Sequence, residues 1–160
     1  MARLLRILLV EDQSDDAYLF SIIAKEFTYA AGVHWAKDGQ EAIEYLEGRG
    51  PYQNRARFPI PDLIVVDLRM HGFDGFDLLR WLRESNAAHI PAVVWTGTLD
   101  PQEIQKGLGL GAIGVFTKPV RFEELVSVIG EICSQGGLSQ PSQRGKGASP
   151  RPRTAGVGSP

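Results

Sequence analysis

Five short apolar runs, set apart by amphipathic segments, constrain this chain more than any other feature. They are LLRILLV (4–10), VHWA (33–36), DLIVVD (62–67), PAVVWT (91–96) and GVFTK (114–118). Each is rich in the β-branched and aromatic residues that suit a pleated, packed surface. Between them the period changes. In 14–30, Ala17, Phe20, Ile23, Ala24 and Phe27 recur at helical spacing, and Ser14 is placed as an N-cap ahead of two acids. Residues 39–47 and 74–85 are amphipathic, and in 121–132 Phe122, Leu125, Val126, Ile129 and Ile132 share one stripe. Strand and helix repeated five times predict a parallel sheet with helices on both faces, joined by right-handed crossovers. Uninterrupted apolar strands are what a sheet covered on both sides requires. The fourth helical segment, DPQEIQKGLGLGA, carries Gly107, Gly109 and Gly111. Each glycine costs roughly 1 kcal/mol in a helix interior, so this helix is expected to be short, frayed or mobile.

At 160 residues and 43% hydrophobic, the chain can bury one core. We expect a single domain over 1–136. Residues 137–160 hold 13 Gly, Pro or Ser among 24 positions and four unopposed cations, Arg144, Lys146, Arg151 and Arg153, which predicts a disordered basic tail. A net charge of −2 gives no overall bias toward nucleic acid or membrane. Cys133 is the single cysteine, so no intrachain disulfide is possible. The apolar start of MARLLRILLVED is too short for a secretory signal and ends in acids. No run approaches the ~20 apolar residues of a membrane span. A soluble cytoplasmic protein is expected. Residues 48–61 (GRGPYQNRARFPIP) form a long loop carrying Arg49, Arg55, Arg57, Tyr52 and Phe58, which reads as a surface insertion.

The chemistry lies at the strand ends. In an open parallel sheet, ligands bind beyond the carboxyl ends of the strands, at the switch point of the topology. The first strand ends in Glu11-Asp12, the third in Asp67, the fourth in Thr96-Gly97 and the fifth in Lys118-Pro119. With strand order 2-1-3-4-5, the three carboxylates converge at one sheet edge. They repel one another unless a cation intervenes. Oxygen-only ligands with room for water and a phosphate oxygen favour Mg²⁺ over a full Ca²⁺ cage. His34, His71 and His89 are scattered and suggest no zinc set. The loop EDQSDD after the first strand would repel a phosphate, which argues against a nucleotide or flavin site. A hydroxyl (Thr96) and an ammonium (Lys118) can hold phosphoryl oxygens, and Gly97 leaves room beside the hydroxyl. A carboxylate so placed can act as a nucleophile, which marks Asp67 as the residue to be phosphorylated.

The motifs ILLVED, DLIVVDLRMHGFDG, PAVVWTGT and GVFTKP together resemble the receiver domains of two-component response regulators, the CheY-like family, over about residues 4–135. That resemblance implies a flavodoxin-like (βα)5 fold, a doubly wound parallel five-stranded sheet of order 2-1-3-4-5. It implies Asp67 as phosphoacceptor, Asp12 as direct Mg²⁺ ligand, Glu11 acting mainly through water and the backbone carbonyl of Arg69 as a further ligand. It makes Thr96 the switch hydroxyl, pairs Lys118 with the phosphoryl group and implies a cis bond before Pro119. The implied partners are a histidine kinase or histidine phosphotransfer protein and a downstream protein on the face of the fourth helix, fifth strand and fifth helix, where Val128 could face it. Two positions depart from the family pattern: Val115 stands where an aromatic is usual, with Phe116 next to it, and His71 stands where Pro is usual. The long 48–61 loop resembles phytochrome-associated response regulators, stand-alone receivers that often dimerise. No DNA-binding pattern follows the fifth helix, so output through protein contact is expected. The alternative is a phosphorylation-independent docking pseudo-receiver. An enzyme of the haloacid dehalogenase type would need an acid where Arg69 stands, so we expect no enzyme beyond the receiver's own phosphoryl chemistry.

Overall fold

The computed structural model describes residues 5–26, 30–97, 100–118, 121, 123–124 and 126–127. Its elements alternate: β1 (Leu5–Val10), α1 (Ser14–Ala24), β2 (Ala30–Ala36), α2 (Gly39–Glu47), β3 (Leu63–Val66), α3 (Gly75–Glu84), β4 (Ala92–Thr96), α4 (Pro101–Gly109) and β5 (Val115–Thr117). All strand pairs are parallel, and the sheet order is β2-β1-β3-β4-β5. The expected order is therefore the one found. Among the described residues, no helix is long and apolar enough to cross a membrane.

The two-residue period of the strands divides the apolar residues between two cores. Leu8 and Val10 of β1, Ile64 and Val66 of β3, and Val94 of β4 face one side, where Ala42, Ile43 and Tyr45 of α2 and Leu78, Leu79 and Leu82 of α3 close over them. Ile7, Leu9, Leu63, Val65, Val93 and Trp95 face the other side, with Ala17, Phe20 and Ala24 of α1. Every residue of β3 and β4 is buried.

Helix starts are set by short side chains. Asp38 accepts from the Glu41 amide at α2, and Asp74 forms a reciprocal capping box with Asp77 at α3. At α1 the expectation shifts by one residue. Ser14 is the first helical residue, and the cap position is Gln13, which makes no side-chain cap bond. This helix also stops at Ala24, short of the expected residue 30. Strand β2 begins earlier than residue 33, because Ala30 to Gly32 extend alongside Leu5 and Arg6.

The glycine-rich fourth segment forms a regular helix over Pro101–Gly109, short as expected. Its Gly107 is buried where α4 lies against the sheet, and a Cβ there would make an ordinary contact with Val94 Cγ2 at 3.4 Å.

The loop 48–61 is not the plain surface insertion expected. One 3₁₀ turn, Gly50–Tyr52, leads into it. Tyr52 is buried and Phe58 packs against the same core, their rings 5.1 Å apart and around His34. Arg55 turns inward and donates to the carbonyls of Tyr45 (2.7 Å), Leu46 (2.8 Å) and Phe58 (3.2 Å). The bonds to Tyr45 and Leu46 tie the loop to the last turn of α2, where the Tyr45 carbonyl also accepts from the Gly48 cap amide. The bond before Pro119, the tail 137–160, Cys133, Val128 and most of the expected fifth helix lie outside the described residues.

Candidate functional site

Glu11, Asp12 and Asp67 meet at the carboxyl edge of the sheet, each offering a carboxylate oxygen within 4.8 Å of the others. Backbone bonds fix the strand ends that carry them. The Glu11 amide donates to Ala36 O, the Asp67 amide donates to Val10 O, and the Trp35 indole donates to Glu11 O at 2.6 Å. The loop after β3 then turns sharply into α3. Gly75 enters that turn so close to Asp67 and Leu68 that a Cβ on it would stand 2.2 Å from Asp67 O.

Lys118 enters from the end of β5, its amide bonded to Thr96 O. Its ammonium lies 2.6 Å from Glu11 Oε2, 3.0 Å from Asp16 Oδ2 and 3.2 Å from Asp67 Oδ2, and 4.9 Å from the centre of the Trp95 ring. Thr96 is fully buried, and a Cβ on Gly97 would meet no atom within 4 Å. Asp16, Asp67, Arg69, Thr96, Gly97 and Lys118 line a cavity of about 480 Å³. The sequence-derived set Glu11, Asp12, Asp67, Thr96, Gly97 and Lys118 is thus assembled in one place. Arg69 contributes its backbone amide, 3.2 Å from Asp67 Oδ1. Asp16, Trp95, His71 and Gly75 were not foreseen. Asp16 reads in sequence as an acid favouring a helix start, and Trp95 as core.

Crowding sets the protonation. Burial pushes Glu11 up to about 7; Lys118 works against this and the Asp67 charge adds to it. Burial also disfavours the charge on Asp12, but the His71 ring and amide, both on Oδ2, outweigh it and hold Asp12 below its usual value. Lys118 shows the same contest: burial opposes its charge, and the hydrogen bonds to Glu11 and Asp16 prevail, raising it above the ordinary lysine range.

A hard divalent cation fits this donor set. Asp12 Oδ1 is buried with no hydrogen-bond partner, and Glu11 and Asp67 share one lysine. Oxygen donors without Cys or His nitrogen suit Mg²⁺ rather than zinc. Chemically, the site can hold a cation on one side of Asp67 and anionic oxygens on the other, beside Thr96 and Lys118.

Residues 7–130 match the response regulator receiver domain. The Arabidopsis thaliana two-component response regulator ARR17 is 32% identical over 124 residues, covering 76% of this chain and 80% of the relative. The crystal structure of the phosphorylated cyanobacterial phytochrome response regulator RcpA superposes with a TM-score of 0.69 at 27% identity, covering 87% of this chain and 99% of that one. The bacteriophytochrome response regulator AtBRR gives a TM-score of 0.71 at 32% identity, covering 81% and 93%. Several other curated relatives are longer, and the chain spans 25%, 43% and 48% of three of them.

Proposed function

The chain belongs to the response regulator receiver family, and from that premise we propose that it accepts a phosphoryl group on Asp67 from a histidine kinase or histidine phosphotransfer protein and signals through changed protein contacts. The observation that carries the reading is the convergence of Glu11, Asp12 and Asp67 within 4.8 Å, with the Lys118 ammonium 3.2 Å from Asp67. A structural carboxylate cluster would not need the adjoining cavity lined by Thr96, Gly97 and Lys118.

In the transfer, a carboxylate oxygen of Asp67 attacks the phosphorus of a phosphohistidine. The new P–O bond forms as the P–N bond breaks, and the electron pair leaves on the imidazole nitrogen. Lys118 and the Thr96 hydroxyl face the phosphoryl oxygens and stabilise charge that the open cavity would otherwise leave to water. Asp16 and Glu11 hold the ammonium between them, so it is positioned before the donor arrives. Mg²⁺ held by Glu11, Asp12, Asp67 and the Arg69 carbonyl would neutralise repulsion between these acids and the incoming phosphate. The receiver spans 1–136 in this reading, and 137–160 is a tail. The protein is a signalling module rather than an enzyme, it works in the cytoplasm, and it is allied to the phytochrome-associated regulators. Its output face is built by α4, β5 and the segment after Pro119, which a downstream protein or a second copy would cover.

The test is intact mass after incubation with acetyl phosphate and Mg²⁺, for wild type and Asp67→Asn. The expected result is one added phosphoryl group in wild type alone. Phosphorylation that survives Asp67→Asn would put the nucleophile elsewhere. A wild type that binds Mg²⁺ but accepts phosphate from neither acetyl phosphate nor a phosphohistidine donor would instead favour the docking pseudo-receiver.

A further inference from the structure

We propose that Arg69 is an exchangeable cation that couples the phosphorylation state of Asp67 to helix α4. In the unphosphorylated protein Glu103 holds its guanidinium, and in the phosphorylated protein the phosphoryl group takes it and Glu103 is released. The inference rests on the phosphoacceptor reading of Asp67.

Arg69 belongs to two places at once. Its backbone amide lies on Asp67 Oδ1 and it lines the Asp67 cavity. Its guanidinium forks around Glu103 in the first turn of α4, with Nη2 2.9 Å from Oε1 and 3.0 Å from Oε2, and Nε 3.4 Å from Oε2. The side chain therefore straps the β3–α3 loop to α4 across the rim of the cavity.

Charge decides where the guanidinium goes. The lining residues of the cavity include two cations, Lys118 and Arg69. Lys118 is already shared among Glu11, Asp16 and Asp67. A phosphoryl group brings up to about two further negative charges and three strong acceptor oxygens. A guanidinium fork matches such oxygens in a way that a point charge does not. The pair it would leave is cheap to break, because the Arg69 side chain is 67% exposed and exposed ion pairs are weak.

Helix α4 is built to register the exchange. Its C-terminal half is anchored: Gly107 packs on Val94, and the Lys106 ammonium sits 4.3 Å from the centre of the Phe76 ring. Glu103, in the first turn, reaches the β3–α3 loop through Arg69. Freeing it loosens the end nearest the cavity while the far end stays packed.

The test is hydrogen exchange at the amides of residues 104–107, with Mg²⁺ alone and with Mg²⁺ plus acetyl phosphate, and intact mass in parallel. In wild type, phosphorylation should speed exchange about fivefold, the population change that an exposed pair at the upper end of its range supports. Glu103→Gln should gain phosphoryl mass as wild type does, but exchange fast from the outset with no further change. Glu103→Asp, which keeps the carboxylate, should recover part of the response. A phosphorylated wild type with unchanged α4 exchange would overturn the coupling. So would a Glu103→Gln protein that still shows the fivefold change. A wild type that gains phosphoryl mass from neither acetyl phosphate nor a phosphohistidine donor would refute the phosphoacceptor reading, and the coupling would fall with it.

Discussion

Gly75→Ala should damage both the fold and the chemistry, and the structure sets the scale. The added Cβ would lie 2.2 Å from Asp67 O, 2.7 Å from Leu68 Cα and 2.9 Å from Asp67 C. Ordinary contact begins near 3.4 Å, so the loop or the start of α3 must yield by about 1 Å. All three atoms are backbone, so no rotamer change relieves the clash. Overpacking of this kind costs about 2 kcal/mol, which lowers the melting temperature by about 6 °C for a domain of this size. The atoms that must move belong to Asp67, the proposed phosphoacceptor. A displacement of about 1 Å at a reacting group can slow a step by roughly a hundredfold. Urea unfolding reports the first effect, and the rate of mass gain from acetyl phosphate reports the second. Gly97→Ala serves as the stability control, because its Cβ meets nothing within 4 Å. Were Gly75→Ala as stable and as rapidly phosphorylated as wild type, the claim that the close approach at Gly75 positions Asp67 would be wrong.

Three further perturbations separate the forces at work. Lys118→Gln leaves Glu11, Asp16 and Asp67 without their shared cation, so urea unfolding in EDTA should show a loss of about 3 kcal/mol that Mg²⁺ largely restores; a loss indifferent to Mg²⁺ would contradict this. Glu11 has a folded value of about 7 against 4.5 unfolded; its stabilising contribution is therefore complete below pH 4.5 and lost as pH rises through 7. In metal-free protein this amounts to about 3 kcal/mol between those limits, and Glu11→Gln should flatten that part of the stability–pH curve. Arg55→Ala should cost about 2 kcal/mol in urea by leaving the carbonyls of Leu46 and Phe58 without this donor, while Tyr45 O keeps the Gly48 amide, whereas Arg57→Ala, whose guanidinium lies over the face of the Phe58 ring, should change stability by less than about 1 kcal/mol.

The parts of the fold legible in the sequence are those with a period or an end. Two-residue alternation was hidden within the apolar runs, since a strand covered on both faces shows none, yet run length marked each strand, and an acid closed the first and third. Glu11, Asp12, Asp67, Thr96 and Lys118 could be read because strand ends in a parallel sheet share one edge. Asp16 could not, because an acid in the first turn of a helix already has a local reason to be there. Gly75 escaped because its reason is a contact with Asp67 and Leu68, and the chain must turn before the contact exists. The loop 48–61 misled for a related reason. Arginines in a loop suggest solvent, and nothing local to Arg55 announces that three carbonyls await it. In β2, Ala30 to Gly32 have little strand preference of their own, but pairing with β1 carries them into the sheet.

The substitution at Val115 has a sharper meaning in the structure than in the sequence. Val115 and Phe116 are neighbours on β5, so they point to opposite faces of the sheet. Phe116 is buried with Trp95 and Val93 on the α1 side, and Val115 packs with Val94 on the side where Gly107 of α4 approaches. An aromatic ring one residue late is therefore on the wrong side, and Phe116 cannot substitute for a ring at 115. Between Thr96 and α4 the sheet presents valines, whose stiff, compact side chains have little room for a second position. A displacement at the proposed phosphoryl site has no large ring on the α4 side of β5 through which to reach α4. It has a polar route at the rim instead, where Arg69 already touches both the Asp67 carboxylate, through its amide, and Glu103, through its guanidinium. The absence of the ring and the presence of the strap concern the same helix, so a Val115→Phe variant combined with Glu103→Gln would reveal whether the ring can carry the coupling once the strap is cut.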